Sequence, residues 1–341
     1  MNKKLAALLL AGALALDALA GYSTQPDEQA APQPEDQTPA AATIVNAAAL
    51  KGPTAMGLVG FMNDAETGAV ADNDYRFSIA ASPDELTPQI AQGALDIACV
   101  PANLASVLYN NTDGGVRVLA VNTLGVLYIC DRDGSVESVA DLAGKTIYAS
   151  GKGSTPEYAL NYILEGNGLT PGVDVTIEWK SEHAECVAAM AQDENAIALL
   201  PQPFVSAAQM KDDSIRAALD LTQEWNALQT DADASSLITG VVVARTAFVE
   251  EHPEAVAAFM EHYRDSVAFV NDDVQAAAEL IGAYDIVPAP VAQKAIPACN
   301  IVCIDGDDMK TRLSGYLAVL FEQNPKAVGG ALPGDDFYYA A

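Results

Sequence analysis

Four short loops hold the residues whose types and spacing could do chemistry, and they fall into two matched pairs. Lys51-Gly52-Pro53-Thr54 follows an apolar run and opens a helical pattern, and Lys152-Gly153-Ser154-Thr155-Pro156-Glu157 does the same much later in the chain. Both have the form K-G-x-T. In the second, Thr155 with Pro156 reads as an N-cap and first helical residue, while Ser154-x-x-Glu157 reads alternatively as a capping box. The other pair is DIACVPAN at 96–103 and AIALLPQP at 196–203, each an apolar strand that ends in proline before a helix. A glycine turn into a helix leaves free N–H groups and the positive end of the helix dipole facing outward. That chemistry holds an anion or a dipole; it does not make or break bonds. Taken singly, each loop is an ordinary capped helix start. Taken as pairs, they predict a two-sided cleft at the carboxyl ends of strands, where open α/β sheets bind ligands.

Other chemistry-bearing motifs fail on spacing. Gly144-Lys145-Thr146 resembles the end of a P-loop, but Val139 stands where the earlier glycine is required. Gly151-Lys152-Gly153 has Pro156 at the third glycine position of a dinucleotide fingerprint, and neither G-x-S-x-G nor H-E-x-x-H occurs. Three histidines (His183, His252 and His262) do not cluster, and His183 with Glu185 and Cys186 reads as a solvated helix start, not as a metal site. The five cysteines, Cys99, Cys130, Cys186, Cys299 and Cys303, form no C-x-x-C, so they read as small buried hydrophobes. Tyr158, Tyr162, Trp179 and Trp225 read as core. No catalytic residue, metal or cofactor is expected.

The elements that must position the loops follow from hydrophobic pattern. Strands are predicted at 44–49, 75–81, 96–100, 116–121, 126–130, 145–149, 173–179, 196–200 and 237–243. Helices are predicted between them at 55–64, 88–95, 104–109, 156–166, 184–192 and 204–210. From 246 the pattern is helical: 246–270, with Pro253 in its first turn, then 273–282, 288–296 and 307–323. Alternating strands and helices predict an α/β class with largely parallel sheets.

Length and charge bound the rest. A chain of 341 residues suggests two domains. Its net charge of −29 excludes a phosphate backbone as partner, so no nucleic acid is expected. Half the residues are apolar and 18% are charged, which excludes a disordered acidic chain. Of the acids, only Asp17, Asp27, Glu28, Glu35 and Asp36 precede residue 43, so the charge lies on the body. No membrane span is expected there. Residues 1–20 read as a signal peptide: Lys3 and Lys4, an apolar stretch from Leu5 to Leu16, then Ala18-Leu19-Ala20. Residues 21–43 read as a Pro/Gln/Asp-rich linker. This order resembles a bacterial lipoprotein leader. Tyr22, however, stands in place of the acylated cysteine, so export is expected and lipid anchoring is not.

From about residue 44 onward the chain resembles substrate-binding proteins of ABC importers, of the nitrate/sulfonate/taurine and thiamine-pyrimidine-precursor group. The residues that carry the resemblance are AALKGPTAMGLV (48–59), ELTPQIAQGALDIACVPANLAS (85–106), VLAVNTLGVLYI (118–129), SGKGSTPEYALNYIL (150–164), IALLPQPFVSAA (197–208) and AIPACNIVCIDG (295–306). The resemblance implies a two-lobed type II periplasmic-binding fold, with three-layer αβα lobes joined by a two-crossover hinge. Lobe 1 would hold 44–123 and 240–341, and lobe 2 would hold 124–239, with crossovers near Asn122-Thr123 and Thr239-Gly240. It carries a ligand-binding role onto Gly52, Pro53, Thr54, Ala55, Ala102, Asn103 and Thr123. In the second lobe it does so for Gly153, Ser154, Thr155, Pro156, Gln202 and Pro203. Only Lys51 and Lys152 bring positive charge to these loops, so no arginine clamp is expected. The implied partners are a small polar or anionic solute (a sulfonate, a nitrate-like ion or a pyrimidine) and a permease with its ATPase; the protein would act as a monomer. An enzyme on the same fold, from thiamine-pyrimidine or chorismate metabolism, and an exported sensor without transport are the alternatives.

Overall fold

In the computed structural model, residues 42–193, 195–230 and 235–340 are described. The expected signal peptide and nearly all of the expected linker lie outside them. Among the described residues, eleven strands form two sheets. The first takes β1 (Ile44–Leu50), β2 (Asp74–Ala80), β3 (Ile97–Pro101), β4 (Val116–Leu124), β10 (Ile238–Arg245) and β11 (Ile301–Ile304), in the order β11-β4-β10-β3-β1-β2. The second takes β5 (Leu127–Asp131), β6 (Thr146–Ser150), β7 (Thr176–Lys180), β8 (Ile197–Pro201) and β9 (Arg216–Asp220), in the order β7-β6-β8-β5-β9.

Strand alternation places these sheets between layers of helices. Along β1, Val45, Ala47 and Ala49 join one core with Phe259, Val267 and Ile281, while Ala48 and Leu50 face the opposite core. The second sheet divides in the same way. Ile129, Ile147 and Leu199 face the core that contains Trp225, and Tyr128, Cys130 and Leu200 face Cys186 and Met190. Runs buried on both faces are what a helix-covered sheet requires.

The sheets are mixed, which corrects the expectation of largely parallel ones. β1 is parallel to β2 and β3, and β6 is parallel to β7 and β8. β10 runs antiparallel to both β3 and β4, and β5 antiparallel to both β8 and β9. The parallel pairs come from strand–helix–strand units. The antiparallel pairs of β5 and β10 come from strands that arrive from the other sheet and enter in the reverse sense, whereas β11, also antiparallel to β4, follows helices after β10 of its own sheet.

Helix boundaries also shift for local reasons. The helix expected at 88–95 is Pro83–Ala91, with Pro83 at its first position, Asp84 and Glu85 in its first turn, and Gly93 left-handed beyond its end. The stretch 246–270 is two helices, Thr246–Glu251 and Pro253–Asp272, because His252 before the proline leaves helical geometry at φ −135°, ψ 53°.

The chain passes between sheets twice, and a glycine is packed tightly near each passage. Gly125 lies between β4 and β5; its carbonyl accepts from Thr222 Oγ1 at 3.0 Å and Asn300 Nδ2 at 2.6 Å. A side chain there would collide with Thr222 and Leu237. At Gly240, near the start of β10, a Cβ would sit 2.5 Å from both Asn122 Oδ1 and Thr54 Cγ2. Asn122 and Thr123 therefore lie inside β4, just before the passage itself.

Candidate functional site

Each matched loop emerges at the carboxyl end of a strand. Gly52 leaves β1 at φ 124°, ψ −155°, a conformation reserved for glycine, and starts the short helix Pro53–Met56. Pro101 ends β3 and starts Ala102–Asn111. After β6, Gly151 and Gly153 are left-handed and Ser154 caps Thr155–Gly166. After β8, the Gln202–Pro203 peptide is cis and the helix Phe204–Gln209 follows.

The cap of Thr155–Gly166 corrects both sequence expectations. Ser154, not Thr155, is the N-cap, and its hydroxyl donates backward to Gly151 O at 2.6 Å. Glu157 accepts from Gly153 N at 2.6 Å, one residue earlier than a capping box would place it. The acid still supports the helix start, but it ties down the glycine turn.

Two cavities line the space between the sheets, and a third adjoins them. One, of about 390 Å³, sets Gly52 and Pro53 against Gln202, Pro203 and Phe204. A second, of about 400 Å³, sets Pro101 and Asn103 against Ser154, Thr155 and Pro156. They meet at Thr239. The third, of about 410 Å³, lies within the second lobe; it shares Phe204 with the first, and Ser154 and Pro156 with the second. Together they form one trough.

Thus Gly52, Pro53, Asn103, Ser154, Thr155, Pro156, Gln202 and Pro203 come together at the trough. The other sequence-derived candidates do not line these cavities. Thr54 is buried with its hydroxyl donated to Leu50 O at 2.9 Å, and Ala55 and Ala102 are sealed in the core. Thr123 is fully buried and donates to Asn122 Oδ1 at 3.0 Å, while Asn122 Nδ2 reaches Thr54 O at 3.3 Å. These residues brace the wall from behind. Gly153 is exposed and positions the turn. Gln202 is also largely committed, since its Oε1 accepts from Ser206 N and Oγ at 3.2 and 2.9 Å.

Two residues that sequence reasoning passed over line the trough. His183 begins the helix His183–Gln192 half-buried, with Ser150 Oγ against its Nδ1 and the Phe204 ring 4.9 Å away. Burial pushes its pKa down, so the solvated helix start expected there is corrected. The signal was present: Ser181–His183 follows β7 in the same strand–loop–helix position as the matched loops. Phe204 is 42% exposed, unusual for its type, and directly follows the cis proline.

Charge is scarce at this place. Among the described residues, no carboxylate lines the two cavities that meet at Thr239. Their single charged side chain is Lys51, which pairs with the exposed Asp285 at 2.9 Å. Glu182 borders the third. No cluster of metal-ligating side chains occurs among the described residues.

The C-terminal part of the chain braces the second-lobe loop. The helix Gly306–Gln323 packs on β4 and also on Thr155–Gly166. Gln323 Nε2 donates to Tyr158 O at 3.0 Å, and Asn324 Nδ2 donates to Tyr158 Oη at 2.9 Å. Tyr158 Oη in turn donates to Gly153 O at 3.0 Å.

Comparison with known proteins gives a consistent result. A family model described as "ABC transporter, phosphonate, periplasmic substrate-binding protein" matches residues 68–289, more than half of the chain. No curated protein sequence matches. Among solved structures, the chain is similar to an ABC transporter protein from Parabacteroides distasonis, with a TM-score of 0.72 and 21% identity over 87% of this chain and 99% of that one. It is similar to the periplasmic aliphatic sulphonate binding protein SsuA from Escherichia coli, at 0.68 and 16% over 87% and 92%. It is also similar to the periplasmic nitrate-binding protein NrtA from Synechocystis PCC 6803, at 0.51 and 15% over 73% and 69%. These likenesses show the two-lobed periplasmic-binding fold.

Proposed function

The chain belongs to the family of ABC-transporter phosphonate-type periplasmic substrate-binding proteins, and from that premise we propose that it captures a small oxyanion between its lobes and delivers it to a permease. The observation that carries this reading is the cleft's charge. In a chain with 46 acidic and 17 basic residues, the two cavities at the crossover have no carboxylate in their walls. Carboxylate-free walls built there from helix starts, hydroxyls and a glycine turn favour negative oxygen atoms. Sulfonates, phosphonates and nitrate share that chemistry.

The proposed role is capture without catalysis. Burial pushes the Cys99, Cys130 and Cys299 thiols up to about 12, and Cys186 and Cys303 up to about 11, so none offers an activated thiolate. Release then follows opening of the lobes on a permease, with its ATPase supplying the energy.

A thermal-shift panel of ethanesulfonate, taurine, methylphosphonate, nitrate, bicarbonate and an aminopyrimidine tests the reading. A ligand at a thousand times its Kd adds about 4 kcal/mol. For a chain of this size that raises Tm by roughly 8–16 °C. Such a shift with one of the oxyanions is the expected result. A response to the aminopyrimidine alone, or a flat panel, overturns it.

A further inference from the structure

Tyr316, on the helix Gly306–Gln323, is fully buried beside the Trp225 ring, whose centroid is 5.8 Å away. Among the described residues its hydroxyl has one hydrogen-bond partner, Thr155 Oγ1, at 3.2 Å. Thr155 Oγ1 has no other partner among them, and the residue lines the cavity of about 400 Å³ at the crossover. Two arrangements of the two protons are open. If Thr155 donates, the tyrosine proton is left inside the core with no acceptor, the costly outcome for a buried polar group. If Tyr316 donates, the buried proton is satisfied, and the proton left over is that of Thr155, at the cavity wall. Burial pushes the Tyr316 hydroxyl well above its ordinary value, so it keeps that proton at physiological pH.

We propose that Tyr316 is a positioning residue that turns Thr155 into a fixed hydrogen-bond donor toward the cleft, so that this wall selects solutes presenting an acceptor oxygen. The inference rests on the oxyanion-capture reading above and deepens it, because it names the residue outside the cleft that sets the polarity of a residue inside it. Threonine and serine hydroxyls are ordinarily ambivalent, donor or acceptor as the partner demands. Tyr316 removes that choice. A sulfonate, phosphonate or nitrate oxygen fits the resulting donor, whereas a solute offering N–H at the same point meets a proton.

Titration calorimetry on the full chain tests the idea with ethanesulfonate, methylphosphonate and nitrate as probes. The wild type is compared with Tyr316→Phe, Thr155→Val, the double variant and Thr155→Ser, with a melting curve for each. For every probe that the wild type binds, Tyr316→Phe weakens binding about threefold to tenfold. Thr155→Val weakens it at least as much. The double variant matches Thr155→Val, because without the threonine hydroxyl there is nothing left to orient. Thr155→Ser keeps the affinity and keeps its sensitivity to Tyr316→Phe. A packing role for Tyr316 would instead add its loss to that of Thr155→Val. Unchanged affinity in Tyr316→Phe, or additive losses in the double variant, overturns the inference and leaves the oxyanion reading standing. Unchanged affinity in Thr155→Val overturns it without recourse to the tyrosine variant. A wild type that binds none of the three anions removes the reading, and this inference with it.

Discussion

His183 and Ser150 sit where two strands of the second sheet give way to loops, and burial sets the protonation of the ring. The folded state keeps His183 neutral, with its pKa below the ordinary 6.5. The unfolded chain takes up a proton as pH falls through that value, and the folded chain does not, so stability is full above pH 6.5 and is lost as pH falls toward the folded-state value. Melting temperatures between about pH 8 and pH 5 should therefore fall more steeply for the wild type than for His183→Gln. Equal slopes would remove the assignment. Tyr263 poses a different single-residue question: it is fully buried and its hydroxyl has no partner among the described residues. A Cβ at Gly57 would sit 2.7 Å from that oxygen. Gly57→Ala should thus cost about 1–3 kcal/mol, and adding Tyr263→Phe should recover part of the loss. Tyr263→Phe alone should melt at or above the wild type, since it removes an unsatisfied group. Denaturant titration of the three variants decides, and a double variant no more stable than Gly57→Ala would refute the contact. The sequence showed which loops meet at the trough. It could not show that the hydroxyls of Thr54 and Thr123 are spent on Leu50 O and Asn122 Oδ1, because a hydroxyl's direction follows from the packing around it, here the close approach of Gly240 to both Thr54 and Asn122.

Among elements, the legible ones were those with a strong period of their own. The helices Thr155–Gly166 and His183–Gln192 begin within a residue of their predicted starts, and β1, β3 and β6 within one residue of theirs. β9 (RAALD) was missed because it is a sheet-edge strand with Arg216 and Ala217 exposed and only Leu219 fully buried, which leaves no clear alternation. β11 was missed because its four residues hardly exceed a turn. β9 is held by chemistry that pattern cannot reveal. Asp131, fully buried at the end of β5, accepts from Arg216 Nε and Nη2 at 2.9 and 2.8 Å and from Val136 N at 3.0 Å. Arg216 also donates to Val136 O at 2.7 Å, closing a ring of contacts between β5, β9 and the loop after β5. Asp131→Ala should cost about 1–3 kcal/mol, since it leaves the Val136 amide without its acceptor, while the half-exposed Arg216 can turn to water. A loss below about 1 kcal/mol in urea denaturation would show that the edge strand is held by its backbone ladder alone.

On the scale of the whole molecule, an acidic body surrounds a trough largely free of acid. Such a field opposes the approach of an anion, the reverse of electrostatic steering. Association of ethanesulfonate or methylphosphonate should therefore quicken as salt screens the body, over a Debye length that shrinks from about 30 Å at 0.01 M to about 8 Å at 0.15 M. Stopped-flow measurement at those two concentrations checks this, and slower association at higher salt would mean that the local potential of the trough outweighs the surface. The bracing of Gly153 and Thr155 by residues 316–324 has a further meaning in time. Everything in the second sheet leaves the ribosome well before the segment that sets the polarity and shape of its binding loop. A half-made chain could close that sheet, yet its recognition loop would lack its brace. Competence to hold a solute thus arrives late in the chain's maturation, so a chain stalled short of residue 316 would be poorly equipped to engage cargo prematurely.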